Sequence, residues 1–291
     1  MDINYELYKV FFYVATTLSF SEASKQLFIS QSAVSQSIKA LEKKLEQTLF
    51  IRSTKKVQLT PEGEILLRHI EPAMNLIQRG EMQLTDIAST GGQLRIGASD
   101  TICRYFLVPY LERFHKEFPN AHIKVTNQTS VNCIDLLESG QVDVIVINYP
   151  NAHLSNMFTL KKIANFQDTF VANESFSALK DKKISFKELL DYPILMLERQ
   201  STTSEYLHSL FQQHQLDLVP EIELSSNDLL LDLAKIGLGI ACVPDYCIPN
   251  ETAKLFRVET EETLPSRELA IVYNQQVPLS GATLEFLNYF T

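Results

Sequence analysis

Residues 20 to 61, FSEASKQLFISQSAVSQSIKALEKKLEQTLFIRSTKKVQLTP, constrain the fold more tightly than any other stretch of this chain. Ala23 and Leu27 lie four apart on one predicted helix, and Val34, Ile38, Leu41 and Leu45 recur at helical period on a second. Gln31, Ser32, Ser35, Gln36 and Lys39 stand outside that stripe at the start of the second helix. They are hydrogen-bonding rather than packing residues. A short helix, a tight turn and a helix whose N-terminal face is polar can enter a DNA major groove.

Ser21 is expected to cap the first of these helices, with Glu22 in its first turn and Phe20 as a hydrophobic staple. Leu7, Val10, Phe11 and Val14 supply a third apolar stripe upstream, so three helices can share one small core. After the second helix, Leu49 and Phe50 are apolar; Arg52, Lys55 and Lys56 follow, and Val57 and Leu59 alternate with Gln58. That pattern predicts a two-stranded wing tipped with cations, suited to phosphates or the minor groove. Three cations on a loop would ordinarily be only solvated, but their coupling to the helix pair favours DNA contact.

Residues 5–67 resemble the winged helix-turn-helix of LysR-type transcriptional regulators, in the segments FSEASKQLFISQSAVSQSIKALEKKL, LFIRS and LTPEGEILL. The resemblance implies that Gln31, Ser32, Ser35 and Gln36 face base edges while Lys39, Arg52, Lys55 and Lys56 meet phosphates. Gln36 stands where the family often carries Arg, which favours adenine over guanine reading. Glu46 replaces the Gly that usually ends the recognition helix, so a different helix end is expected there.

Charge divides the chain in the same way. Residues 1–60 carry eight Lys/Arg against five Asp/Glu, whereas the whole protein has a net charge of −9. A basic head on an acidic body fits a DNA-binding segment joined to a separate sensor. At 291 residues the chain can bury two or three cores. No secretory leader and no long apolar run is read from it, so a cytoplasmic protein with no membrane association is expected. Cys103, Cys133, Cys242 and Cys247 show no metal spacing and read as small buried hydrophobes; neither metal nor cofactor is expected.

Thr60-Pro61-Glu62 opens a further helix with a cap, a proline at the first position and a carboxylate. Ile65, Ile70, Ala73, Leu76, Ile77, Leu84 and Ile87 recur along it as far as Ala88, across Pro72, where a kink is expected. So long a stripe calls for a second copy as partner. The resemblance likewise implies a dimerising linker, a homodimer or homotetramer, and recognition of an interrupted inverted repeat, with RNA polymerase as a further partner. Ser89-Thr90-Gly91-Gly92 reads as a hinge.

From Gln93 short apolar strands alternate with helices: Leu94–Gly97, Ile123–Val125, Val142–Ile147, then units around Phe170, Ile194–Leu197, Ile222–Leu224 and Ile240–Val243. Alternation of this kind predicts a doubly wound α/β body, with ligands beyond the carboxyl ends of strands and against helix N-termini. Reading off those ends gives Ser99, Thr129, Ser130, Thr202, Thr203 and Asn227. Any one alone would be an ordinary helix cap; together they suit a small anion, a carboxylate first. The resemblance covers residues 92–291 more loosely. It implies effector contacts at Ser99, Thr129 or Ser130, and Thr202 or Thr203. Where the family often has Arg after that last Thr, this chain has Ser204, so no charge clamp is expected from that position.

The resemblance further implies two subdomains of periplasmic-binding-protein type, crossed by the chain near Lys161–Phe166 and Pro265–Leu269. The expected organisation is therefore a winged helix-turn-helix over 1–60, an all-α head on an α/β protein; a long linker helix over 61–90; and an effector domain over 91–291. Within the last, subdomain I spans about 91–162 and 267–291, and subdomain II about 163–266. Enzyme readings find no support in the pattern. Gly91-Gly92…Gly97 is neither a dinucleotide fingerprint nor a P-loop, Gly97-Ala98-Ser99-Asp100 lacks the second Gly of a nucleophile elbow, and His208 and His214 have no zinc pattern. A solute-binding protein would account for residues 92–291 but leave the DNA-binding head unexplained. The sequence thus predicts a ligand-responsive transcriptional regulator that is not an enzyme.

Overall fold

The computed structural model describes residues 3–52, 56–86, 92–248 and 254–290. Two compact units emerge, one built on residues 1–88 and the other on nearly all that follows.

In the first unit, α1 (Tyr5–Thr17), α2 (Phe20–Leu27) and α3 (Gln31–Leu45) enclose a core of Phe11, Val14, Ala23, Val34, Ile38 and Leu41. The apolar stripes of the sequence are the buried faces. The Phe50 ring closes this core against Phe11 and Phe20, with centroids 5.5 and 5.9 Å away. The cap of α2 is Ser19, not Ser21: its side chain accepts a hydrogen bond from the Glu22 amide at 3.2 Å. The αL residue Leu18 lets α1 end early enough for Ser19 to take the extended cap conformation. Ser30 caps α3 by accepting from Ala33 N at 3.2 Å. At the far end Glu46 takes the left-handed conformation that glycine normally provides, φ 55°, and its amide returns to the Glu42 carbonyl. Helix α3 therefore ends as its relatives' glycine would end it, with a side chain carrying the strain.

Strands β1 (Phe50–Arg52) and β2 (Val57–Leu59) pair antiparallel as the wing. Helix α4 (Pro61–Asp86) follows, and its Gly63 amide donates to the Thr60 hydroxyl at 3.0 Å. Gly63 is obligatory for close approach, because a Cβ there would sit 2.3 Å from the Leu49 carbonyl oxygen. The helix runs on through Pro72. Leu66, Leu67 and Ile70 pack against the helix-turn-helix core, which removes Ile70 from the stripe assigned to a partner. Ile65, Ala73, Leu76, Ile77 and Leu84 remain exposed. Ile87 and the expected Ser89-Thr90-Gly91 hinge lie outside the described residues.

The second unit holds two sheets. The first lobe is built from β3 (Gln93–Ala98), α5 (Asp100–Ile102), a π-helical turn at Cys103–Leu107, α6 (Val108–Glu117), β4 (His122–Asn127), α7 (Ser130–Glu138), β5 (Val144–Tyr149) and β6 (Thr159–Phe166). The second is built from β7 (Asp168–Ala172), β8 (Lys183–Ile184), α8 (Phe186–Leu189), β9 (Ile194–Leu197), α9 (Thr202–Gln213), β10 (Ile222–Leu224), α10 (Asn227–Lys235), β11 (Ile240–Pro244) and β12 (Phe256–Thr260). The chain then returns to the first lobe through β13 (Arg267–Tyr273) and α11 (Gly281–Asn288).

Strand order is β4-β3-β5-β13-β6 in one sheet and β10-β9-β11-β7-β12-β8 in the other. Neither is wholly parallel: β13 runs antiparallel to both β5 and β6, and β7 antiparallel to β11 and β12. Val144 to Ile147 of β5 are fully buried, as an apolar run covered on both faces requires. This strand begins at Val144 rather than Val142, because the Asp143 carboxylate pairs with Arg95 at its mouth. The first crossing falls at the end of the expected stretch Lys161–Phe166: strand β6 stays in the first sheet through Phe166, paired with β13, and the chain changes lobes at Gln167. Ile163 and Ala164 pack with the first-lobe core, and their burial there sets the boundary.

Replacing Glu46 by Gly relieves a left-handed side-chain conformation and should stabilise the first unit by about 1 kcal/mol. Thermal unfolding checks this; an unchanged or lower midpoint would show that the Glu46 side chain repays its strain elsewhere.

Candidate functional site

The surface at the start of α3 presents Gln31, Ser32, Gln36 and Lys39, all exposed. Ser35 is half-buried and its hydroxyl accepts from Arg52 Nη1 at 3.0 Å, while the Arg52 guanidinium lies 4.3 Å over the Phe20 ring. The wing is thereby tied to the recognition helix by a side chain that the sequence assigned to phosphate. Lys56 is exposed beside it. Lys55 lies outside the described residues.

A cavity of about 250 Å³ opens between the two lobes of the second unit. Ser99, Thr129, Ser130, Thr202, Thr203 and Asn227, singled out from strand ends scattered over the sequence, all line it. Each sits where a strand hands over to a helix. Ser99 caps α5, accepting from Ile102 N at 3.3 Å. Thr129 accepts from Asn132 N at 3.2 Å, and the Ser130 hydroxyl accepts from Asn148 N at 3.4 Å. The caps of α9 and α10 are Ser201 and Ser226, so Thr202, Thr203 and Asn227 occupy first turns.

Contacts across the cavity join the lobes. Asn227 Nδ2 donates to the Thr101 hydroxyl at 3.0 Å, and Tyr105 donates to Asp228 at 2.5 Å. Asn148 Nδ2 reaches the hydroxyls of Thr202 and Thr203 at 3.4 and 3.5 Å. The Oδ1 atoms of Asn148 and Asn227 are buried without a protein partner and present acceptors to a ligand or water. No Lys, Arg or His lines the cavity among the described residues, while Asp100 and Glu198 do.

Several of these residues were missed from sequence. Asn148 had a signal, as the first polar residue after the buried run of β5. Arg267 had none. It is 1 % exposed and lies behind Thr203, donating from Nη1 to the Thr203 hydroxyl at 3.1 Å and to Asp168 Oδ2 at 2.7 Å. Tyr206 and Phe166 flank its guanidinium at 4.6 and 5.1 Å. Burial pushes the Asp168 carboxyl above its usual range against the pull of Arg267. The charge expected to be missing at Ser204 thus enters from another strand. Ser204 itself is fully buried with His208 Nδ1 3.3 Å from its hydroxyl, yet that nitrogen lies nearer the Ser204 carbonyl, at 2.8 Å. An Nδ1 that donates to a carbonyl cannot take a proton from the hydroxyl, so this contact is not a nucleophile–base pair.

Cys103 stands at the cavity edge, its thiol 3.5 Å from Asn127 Oδ1. Burial, reinforced by Asp100, pushes its pKa up to about 11. Cys133, Cys242 and Cys247 are buried, as their reading as small hydrophobes requires.

A winged helix-turn-helix and a two-lobed α/β cleft on one chain define a DNA-binding regulator with its own ligand sensor. The chain matches the bacterial regulatory helix-turn-helix protein, lysR family, over residues 5–64 and the LysR substrate binding domain over residues 88–291. It belongs to the LysR family of transcriptional regulators. It is 26 % identical over 287 residues to the HTH-type transcriptional activator CmpR of Synechocystis sp., covering 97 % of this chain and 93 % of the relative. It is 30 % identical over 266 residues to a probable RuBisCO transcriptional regulator of Gracilaria tenuistipitata var. liui, covering 88 % and 85 %. Full-length CbnR solved with its target DNA shares the fold with a TM-score of 0.68 at 18 % identity, covering 99 % of each chain. The regulatory domain of CcmR from Synechocystis, solved with 2-PG, aligns with a TM-score of 0.62 at 20 % identity over 68 % of this chain and 95 % of that one.

Thiolate is the reactive form, so the raised Cys103 pKa means alkylation at pH 8 runs roughly a hundredfold slower than for a free thiol, and accelerates through pH 10–11. Mass-spectrometric labelling against pH measures this. Rapid labelling of Cys103 at neutral pH would instead mark it as an activated, redox-competent thiol.

Proposed function

We propose that this protein regulates transcription by binding an interrupted inverted repeat through paired helix-turn-helix units and by holding a small anionic effector between the lobes of its sensor. The observation that carries the reading is the ring of six sequence-distant hydroxyl and amide residues around one cavity, in a chain whose other unit is a winged helix-turn-helix. The cavity wall offers hydroxyls and helix-start amides, which bind anions without a permanent counter-charge. CcmR, whose regulatory domain shares the fold, was solved with 2-PG, a ligand that fits this chemistry and serves as a first candidate.

On DNA, Gln31, Ser32, Ser35 and Gln36 read base edges, and Lys39, Arg52, Lys55 and Lys56 meet phosphates. The exposed Ile65, Leu76, Ile77 and Leu84 stripe of α4 takes a second copy of the chain as its partner, giving a dimer or a dimer of dimers. Three functional regions follow, the head over 1–60, the linker over 61–90 and the sensor beyond. RNA polymerase is a further partner. The sensor binds and releases its ligand rather than transforming it, and the protein works in the cytoplasm, where bacterial DNA lies.

Replacing Gln31 and Gln36 by Ala should relax sequence preference by about 1–3 kcal/mol per lost bidentate contact, whereas Lys56→Ala should weaken binding to every sequence alike. Selection from a random DNA library by wild type and variants separates the two effects; identical selected motifs would remove the base-reading roles. A thermal-shift titration with 2-PG tests the sensor. At a hundredfold excess over its dissociation constant, a ligand of the folded state should add about 2.7 kcal/mol of stability. The shift should vanish in Thr203→Val, and a shift that survives would move the effector to another place.

A further inference from the structure

We infer that Arg267, which does not line the cavity, sets the sensor's preference for anions by fixing Thr203 as an obligate hydrogen-bond donor. This rests on the anionic-effector reading above. It deepens that reading by assigning the source of charge selectivity to a buried positioning residue.

The argument is an inventory of one hydroxyl. A threonine hydroxyl has one hydrogen to donate and two lone pairs to accept with. Thr203 Oγ1 accepts from Arg267 Nη1 at 3.1 Å and from Asn148 Nδ2 at 3.5 Å. With both lone pairs engaged, its hydrogen is all it can offer, and Thr203 lines the cavity. The ligand atom opposite it must therefore be an acceptor. A hydroxyl that receives from a cation is also a stronger donor than one in water, since bonds in a chain polarise one another.

Neighbouring hydroxyls share this polarity, with the Oδ1 atoms of Asn148 and Asn227 standing among them as acceptors. Thr202 accepts from Asn148, Thr101 from Asn227, Ser130 from the Asn148 amide and Ser99 from the Ile102 amide. Each of these four hydroxyls is fed from the protein side. Only at Thr203 does a full charge stand behind the donor. Its partner meets it at one point only. Asp168 meets Arg267 through one oxygen, its Oδ1 has no hydrogen bond, and burial works against its ionised form. The Nε and Nη2 of Arg267 are also without hydrogen-bond partners, between two aromatic rings. The guanidinium therefore keeps unpaired N–H groups close behind Thr203, in a dry setting where a charge acts over several ångströms.

The test uses the full-length protein with two probes, 2-PG and inorganic phosphate, and reads dissociation constants by calorimetry. Asp168→Asn keeps the guanidinium and removes the opposing charge; it should bind both anions as tightly as wild type or more tightly. Arg267→Met/Asp168→Leu replaces the whole buried pair by apolar side chains of similar volume, an exchange that cores often tolerate. It should stay folded and lose roughly tenfold to a hundredfold in affinity, the worth of a charge-assisted hydrogen bond. Thr203→Val should lose as much, and Thr203→Ser should restore binding. A merely structural role for the pair would move Asp168→Asn and the double variant in the same direction. Loss of affinity in the double variant but not in Asp168→Asn is the signature of charge. Wild-type affinity in a folded double variant would overturn the inference while leaving the anion reading intact. Failure of wild type to bind either anion would overturn the anion reading, and this inference with it.

Discussion

The sensor depends on how two separate crossings of the chain are held together. The polypeptide leaves the first lobe after Phe166 and re-enters it at Arg267, and these points meet. Gln167 hydrogen-bonds the Leu264 carbonyl through its side chain, its own carbonyl receives Asp245 N at 2.8 Å, and Ser266 donates to the Phe166 carbonyl at 3.3 Å. Between them lies the buried Arg267–Asp168 pair, one partner at the first residue of each crossing strand. An ion pair so deeply buried is weak support for stability, because desolvation offsets most of its attraction. Its geometric effect is more certain: it fixes two strands from different sheets at one point and places a cation directly behind the cavity wall.

In the reading proposed above, that placement lets a wall without cationic side chains favour an anion. Cationic side chains in direct contact would hold an anion strongly but would face Asp100 and Glu198 across the same cavity. Hydroxyls and helix amides are reversible partners, and their orientation is set in advance by the donors that feed them. A sensor must let its ligand go when concentration falls, and must bind two arrangements of its lobes unequally if occupancy is to matter. Asn148, Thr101 and Tyr105 of one lobe reach Thr202, Thr203, Asn227 and Asp228 of the other, so the lobes are joined largely through residues that line the cavity.

Legibility in the sequence followed the range of the forces involved. The helix-turn-helix was readable because its periodicity is local: Val34, Ile38 and Leu41 fall on one face whatever else the chain does. The cap of α2 was misplaced by two residues because Ser19 and Ser21 are equally good caps, and only the left-handed Leu18 decides between them. The cavity residues were readable because strand ends and helix starts carry local hydroxyl signatures. Arg267 was not, since it meets Thr203 across 64 residues and Asp168 across 99, and nothing near it in sequence announces a site. The lobe boundary could be read only to within a few residues, because β6 is half-buried along most of its length and holds its sheet by pairing with a strand a hundred residues away.

Strand β13 lies inside the first sheet, between β5 and β6, and contributes to the cores on both faces, through Leu269 and Ile271 on one and Ala270 and Val272 on the other. The first lobe therefore begins at residue 93 yet lacks an interior strand until residue 273 has been made. During synthesis, β5 and β6 must wait for a strand that lies beyond the entire second lobe, whose own elements are contiguous and can assemble as they emerge. The order of maturation inverts the order of the sequence: the inserted lobe can close before the lobe that hosts it. The DNA-binding unit precedes both lobes in the chain, so it can fold before a working sensor is assembled.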